Sequence, residues 1–103
     1  MRIDKYLWCI RLFKTRSLAT NACKKGQVKM NNSNIKPSKD IFGNELILVR
    51  KNQINYKIKV LDLPTSRVGA KLVDLYRKDI TPKEEFEKTE LLKYAKDYYR
   101  KKG

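Results

Sequence analysis

Apolar side chains recur at Ile3, Tyr6, Leu7 and Ile10, the i, i+3, i+4, i+7 spacing of one helical face. Asp4 is placed to cap that helix, with Ile3 before it stapling onto Trp8. Leu18, Ala19, Ala22 and Cys23 make a second, narrower apolar face. Thr15 offers its N-cap, and Gly26 a left-handed residue to close it. Small Ala and Cys side chains let this second helix approach the first closely. The period then changes. Val28 and Met30 share one side of Gln27 to Asn31, as in a half-buried strand, and Asn31-Asn32-Ser33 is a turn signal. Asn34-Ile35-Lys36 returns as a short strand stopped by Pro37. Leu46 to Val49 is an apolar strand, and Ile54, Tyr56, Ile58 and Val60 alternate with Asn55, Lys57 and Lys59 up to Pro64.

Helical spacing reappears after Pro64. Val68, Leu72, Leu75 and Tyr76 share a face with Thr65 or Ser66 as cap, although Gly69 weakens such a helix by about 1 kcal/mol relative to Ala. Thr81-Pro82-Lys83-Glu84 reads as a capping box with Pro at N1. It opens a last helix to about Tyr99, with Leu91, Tyr94, Ala95 and Tyr98 on its apolar face and Arg100-Lys101-Lys102 suiting its C-terminal dipole.

Charge changes the picture. The 103 residues hold 25 Lys+Arg against 11 Asp+Glu, a formal net charge of +14. Residues 1–39 carry ten Lys/Arg and one acid, Asp4; residues 40–103 carry fifteen against ten. The excess sits on the opening module and points to a polyanion, nucleic acid before membrane. On the second helix Arg16, Thr20 and Lys24 are spaced four apart and stack in a row, flanked by Arg11, Lys14 and Lys25. Two helices that bury their apolar sides together and turn these cations outward form a surface suited to phosphates.

The same residues exclude other chemistry. No histidine is present, which removes the commonest general base and metal ligand, and no phosphate-binding glycine motif or nucleophile elbow appears. The acids of the last helix, Glu84 with Lys88 and Glu90 with Lys93, are spaced as a solvated helix surface. No enzymatic role, no metal and no cofactor are therefore expected. Cys9 and Cys23 lack metal-ligand spacing. Without a secretory signal pattern or a span-length apolar stretch, the expectation is a cytoplasmic protein, no membrane, and two reduced, packed thiols. Trp8 lies off the main apolar face and either staples the N-terminus or stacks on a base.

R-I-D-K-Y-L, K-T-R-S-L-A, K-K-G-Q-V-K-M-N and K-P-S-K, in that order and spacing between Arg2 and Val49, resemble the S4 RNA-binding domain. The resemblance implies an α+β fold, two RNA-binding helices packed on a small antiparallel sheet. It divides the chain into a domain at 1–62 and a helical extension at 63–103. Carried over by position, the RNA-facing residues are Arg2, Lys5, Arg11, Lys14, Arg16 and Lys25, with Thr15 and Ser38 as polar neighbours. The outward row adds Thr20 and Lys24. Asn32 stands where the family commonly has Gly, and Asn44 where it often has Asp; neither touches the basic face.

Trp8 with K-T-R and a short helical tail are most similar to the heat-shock protein fifteen family. That family is ribosome-associated and binds free large subunits carrying a nascent chain on tRNA. The chain is also similar to a small protein that assists tailing of stalled chains in ribosome quality control. The resemblance implies, as partners, ribosomal RNA, the large ribosomal subunit and peptidyl-tRNA, engaged by a monomer. One alternative is an RNA-targeting module assisting an RNA-modifying enzyme. Another is a helix-turn-helix DNA-binding protein, for which Asn21 is the obvious base reader on the second helix.

Overall fold

The computed structural model describes residues 1–88. Helix α1 (Ile3–Cys9) and helix α2 (Arg16–Lys24) are followed by β1 (Val28–Met30), β2 (Ser33–Asn34), β3 (Leu46–Lys51), β4 (Ile54–Val60), a 3-10 helix (Ala70–Leu75) and β5 (Arg77–Asp79). The strands form one antiparallel sheet in the order β2-β1-β3-β4-β5. The fold is α+β, with both helices on one face of the sheet.

Residue alternation decides that face. Val28, Met30, Ile47, Val49, Ile58 and Val60 point inward and are buried. They meet Ile3, Tyr6, Leu7 and Ile10 from α1 and Ala19, Ala22 and Cys23 from α2. Each fully buried Ile, Leu or Val contributes about 1.5–3 kcal/mol, so these rows hold the layers together. Tight left-handed turns set the register. Asn31 and Asn32 (φ 52° and 62°) turn β1 into β2, and Asn52 and Gln53 (φ 52° and 66°) join β3 to β4. Two consecutive positive-φ residues match the twist of a two-residue hairpin, which is why Asn serves at Asn31–Asn32 and again at Asn52. Gly26 (φ 74°) closes α2 as expected.

Several expectations change. Asp4 is no cap: α1 begins at Ile3, and Asp4 lies buried inside its first turn. The orphan N–H groups of Ile3 and Asp4 donate instead to the carbonyls of Lys39 and Pro37. Ile3 belongs to the core, while the Trp8 ring meets Arg67, whose guanidinium carbon lies 5.7 Å from the ring centre. Leu18 is 49% exposed, because the buried stripe of α2 is narrower than four residues.

The helix expected after Pro64 is replaced by the 3-10 helix and β5. Of its presumed apolar face only Val68 is buried, with Val73 beside it, whereas Leu72 and Leu75 are exposed. Pairing of Arg77–Asp79 with Val60–Ile58 covers what would otherwise be an open sheet edge. Thr81 does not open a capping box. Its hydroxyl oxygen accepts from Lys57 N at 3.0 Å and the hydroxyl donates to Asp79, and the following helix starts at residue 83. Glu85 accepts from Asn55 N, which holds its carboxyl below the usual range. Thr81 and Glu85 thus satisfy β4 N–H groups beyond the end of β5. On that last helix Lys83 pairs with Glu87, at 3.8 Å. The expected apolar face Leu91, Tyr94, Ala95 and Tyr98, and the basic end Arg100 to Lys102, lie outside the described residues.

Candidate nucleic-acid interface

The one acid of residues 1–39 organises the cations around it. Asp4 is 1% exposed, and four groups converge on its carboxylate. Arg2 grips it with two hydrogen bonds, Nε to Oδ1 at 3.2 Å and Nη2 to Oδ2 at 3.0 Å. Lys5 N donates to Oδ1 at 2.7 Å, and Arg16 Nη2 lies 3.6 Å from Oδ1. Thr20 Oγ1 lies 3.0 Å from Oδ2 and 3.0 Å from the Arg16 carbonyl. A buried carboxylate is stable only when its oxygens are satisfied. This one is, by α1 and α2 together, and the two guanidiniums remain about half exposed (49% and 44%). Arg2 is therefore held by its two hydrogen bonds and Arg16 drawn to the same carboxylate by charge, each with a free edge toward solvent.

The expected residues separate by what they touch. Arg2, Arg16 and Thr20 meet at Asp4. Thr20 is thus no outward member of the row but part of the support beneath it, since its hydroxyl reaches inward to the carboxylate. Thr15 is likewise structural: its side chain caps α2, accepting from Leu18 N at 3.1 Å. Lys14, Lys24 and Lys25 are exposed and Lys5 is half-buried, and none of them forms an ion pair with a described residue. Ser38 is exposed in the turn of residues 36–39, where the carbonyls of Pro37 and Lys39 bind the start of α1.

Arg11 stands apart. Its backbone is left-handed (φ 64°) and its Nη1 donates to the Val68 carbonyl at 3.4 Å. Together with Arg67, which donates to the carbonyls of Trp8 and Phe13, it ties the segment after β4 to the end of α1. Arg67 escaped the sequence reading, as did Asp4's part as an anchor. A lone acid inside a block of ten cations was the available signal for the second; nothing local marks the first.

The thiols are inert by environment. Cys9 and Cys23 are buried and free. Burial pushes the Cys9 thiol up, and burial with the Asp4 charge pushes Cys23 up to about 11. Neither is a thiolate at neutral pH. Among the described residues no group of three or more His, Cys, Asp or Glu is placed to hold a metal ion, and no helix is long and apolar enough to cross a membrane.

Two basic helices on an antiparallel sheet, with cations pinned through a buried carboxylate, define an RNA-binding domain of the S4 class, and the S4 domain family model matches residues 1–47. The chain belongs to the family of small S4-domain proteins that contains heat shock protein 15 and the RQC P-site tRNA stabilizing factor. It is 38% identical over 84 residues to the RQC P-site tRNA stabilizing factor of Helicobacter pylori, covering 81% of this chain and 96% of that one. It is 37% identical over 75 residues to the heat shock protein 15 homolog of Aeromonas salmonicida, covering 73% of this chain and 57% of that one. The match thus spans little more than half of the heat shock protein 15 homolog. The trimeric Vibrio cholerae heat shock protein 15 superposes with a TM-score of 0.75 at 31% identity, over 87% of this chain and 89% of that one.

Proposed function

We propose that this chain is a non-catalytic RNA-binding protein that docks on ribosomal RNA of the large subunit and acts in ribosome quality control, on stalled or dissociated subunits that carry peptidyl-tRNA. The observation that carries the reading is the Asp4 anchor. It holds Arg2 and Arg16 at the junction of α1 and α2 with free guanidinium edges, and Lys5, Lys14, Lys24 and Lys25 extend positive charge around them. Arginine forks contact phosphate in a bidentate manner that Lys does not reproduce. Fixed forks lose less freedom on binding than free ones, and recognition by shape and phosphate is the usual mode for structured RNA.

The relatives' names, one referring to a P-site tRNA and the other to heat shock, support the quality-control part of this reading. Sedimentation of cell lysate through a sucrose gradient tests it. The protein should travel with free large subunits, and more so when translation is stalled. Migration at the top of the gradient under every condition would contradict the reading.

A further inference from the structure

The face of the sheet turned away from the helices is basic as well, and the register shows how. Lys29, Leu48 and Lys57 stand in one cross-strand row, and Leu46, Lys59 and Lys78 in another; Arg50 stands opposite Asn55. Alternation puts all of these on the side opposite the core row Val28, Val49, Ile47 and Ile58. The strands contain one acid, Asp79, and it pairs with Ile58 on the core side. The core-side cations of the strands have partners: Lys51 donates to the Leu12 carbonyl, and Arg77 lies against Asp74 and Asp79. On the outer side Lys29, Lys57, Lys59 and Lys78 form no ion pair with a described residue, and Arg50 lies close enough to act on the Glu85 carboxylate.

A solvated sheet surface of mixed charges would be unremarkable; one carrying five cations on a single parity is not. Strand geometry sets Lys57 and Lys59 about 7 Å apart and Lys59 and Lys78 about 5 Å apart. Between Lys29, Arg50 and Asn55 lies a depression of about 240 Å³, floored by Leu48 and edged by Gln27. The Asn55 amide is taken by the Glu85 carboxylate at one end, but the apolar floor, the Gln27 amide and the cations at the other end suit an unpaired base with a flanking phosphate on Lys29.

We infer that the outer sheet face is a second RNA site, taking an unpaired strand while the helix face holds structured RNA, so that one molecule ties two RNA segments together. The inference rests on the RNA-binding reading above for its first segment only. The full chain is titrated with a labelled uridine strand and, separately and together, with an RNA hairpin. The wild type should bind both at once. Replacing the exposed Lys29, Arg50 and Lys78 by Glu should weaken the strand about tenfold or more and leave the hairpin nearly unchanged. Replacing Lys14, Lys24 and Lys25 by Glu should do the reverse. A control with Lys36, Lys71 and Lys83 changed to Glu carries the same charge change away from the sheet face. The inference is overturned if hairpin and strand compete on the wild type, if the sheet variant holds the strand as the wild type does, or if the control loses it equally. Loss of hairpin binding alone by the wild type would overturn the helix-face reading and leave the strand site standing. Unchanged thermal melts of all three variants exclude misfolding as the cause.

Discussion

Arg2 and Asp4 face each other through two hydrogen bonds, 3.2 and 3.0 Å long, across the first turn of α1. The carboxylate is buried and the guanidinium half exposed, so the acid acts on RNA only through the cations it positions. This separates two physical accounts of binding, a general positive field and a fixed arrangement of forks.

Asp4→Asn makes the chain one unit more positive. If the field alone mattered, affinity would rise. With Asp4 as a positioning residue, affinity for ribosomal RNA should fall several-fold. Stability should drop by about 1–3 kcal/mol, as expected when hydrogen bonds to a charged group are weakened. Filter binding alongside thermal melts checks both, and tighter binding by Asp4→Asn would count against the anchor.

Salt dependence reports how many phosphates are engaged. With about 5–8 neutralised, log K against log salt should slope at about −4 to −7. A slope shallower than about −2 on a ribosomal RNA fragment would not fit this charge distribution.

Alkaline pH should destabilise the fold. Burial raises the Cys23 thiol to about 11, and Cys9 and Tyr6 move in the same direction. A group with a raised native pKa contributes stability that is complete below its unfolded value. For Cys23 that contribution is lost between about pH 8.5, the free-thiol value, and the native value. Melting temperature should therefore decline across that interval, with a smaller decline in Cys23→Ala. Both thiols should also resist alkylation at pH 8 until the protein is unfolded.

The segment after Pro64 should be needed for folding. Tyr6 is fully buried, and its hydroxyl donates to the Tyr76 carbonyl at 2.8 Å, while Val68 and Val73 sit in the core. A chain ending at Ile80 should melt cooperatively, at a lower temperature because Thr81 and Glu85 no longer satisfy β4. A chain ending at Asp62 should not. Tyr6→Phe should cost about 1–2 kcal/mol. A cooperative melt of the shorter chain would show that residues 1–62 fold alone.

Much of this fold is legible along the chain where one period rules a segment. The Ile3–Tyr6–Leu7–Ile10 stripe, the Thr15 cap, Gly26 and the alternation of β4 all take the places their patterns predict. The failures are non-local. Val68, Leu72 and Leu75 have helical spacing, yet the open edge of β4 recruits Arg77–Asp79 as a strand, a demand invisible within the segment itself. Asp4 looks like a cap because local rules assign short acids to helix starts, whereas two of the four groups that meet it, Arg16 and Thr20, come from α2, twelve and more residues away. Thr20 is misplaced for the same reason. Four-residue spacing puts it in line with Arg16 and Lys24, but only the packing of α1 against α2 turns its hydroxyl inward. The basic residues themselves were readable as a group; which of them are fixed, which are free and which, like Arg11, serve as a latch depended on tertiary contacts.

The most direct test of the helix face compares two charge-matched variants in co-sedimentation with large ribosomal subunits. Lys14→Glu with Lys24→Glu alters the face beside Arg16 without touching the Asp4 anchor. Lys71→Glu with Lys83→Glu makes the same change of charge on exposed positions elsewhere. Both pairs should melt near the wild type, since exposed charge changes usually shift stability by less than about 0.5 kcal/mol. The first variant should lose co-sedimentation at physiological salt, and the second should retain most of it. Equal retention or equal loss in the two folded variants would contradict the assignment of the α1–α2 face as the RNA site.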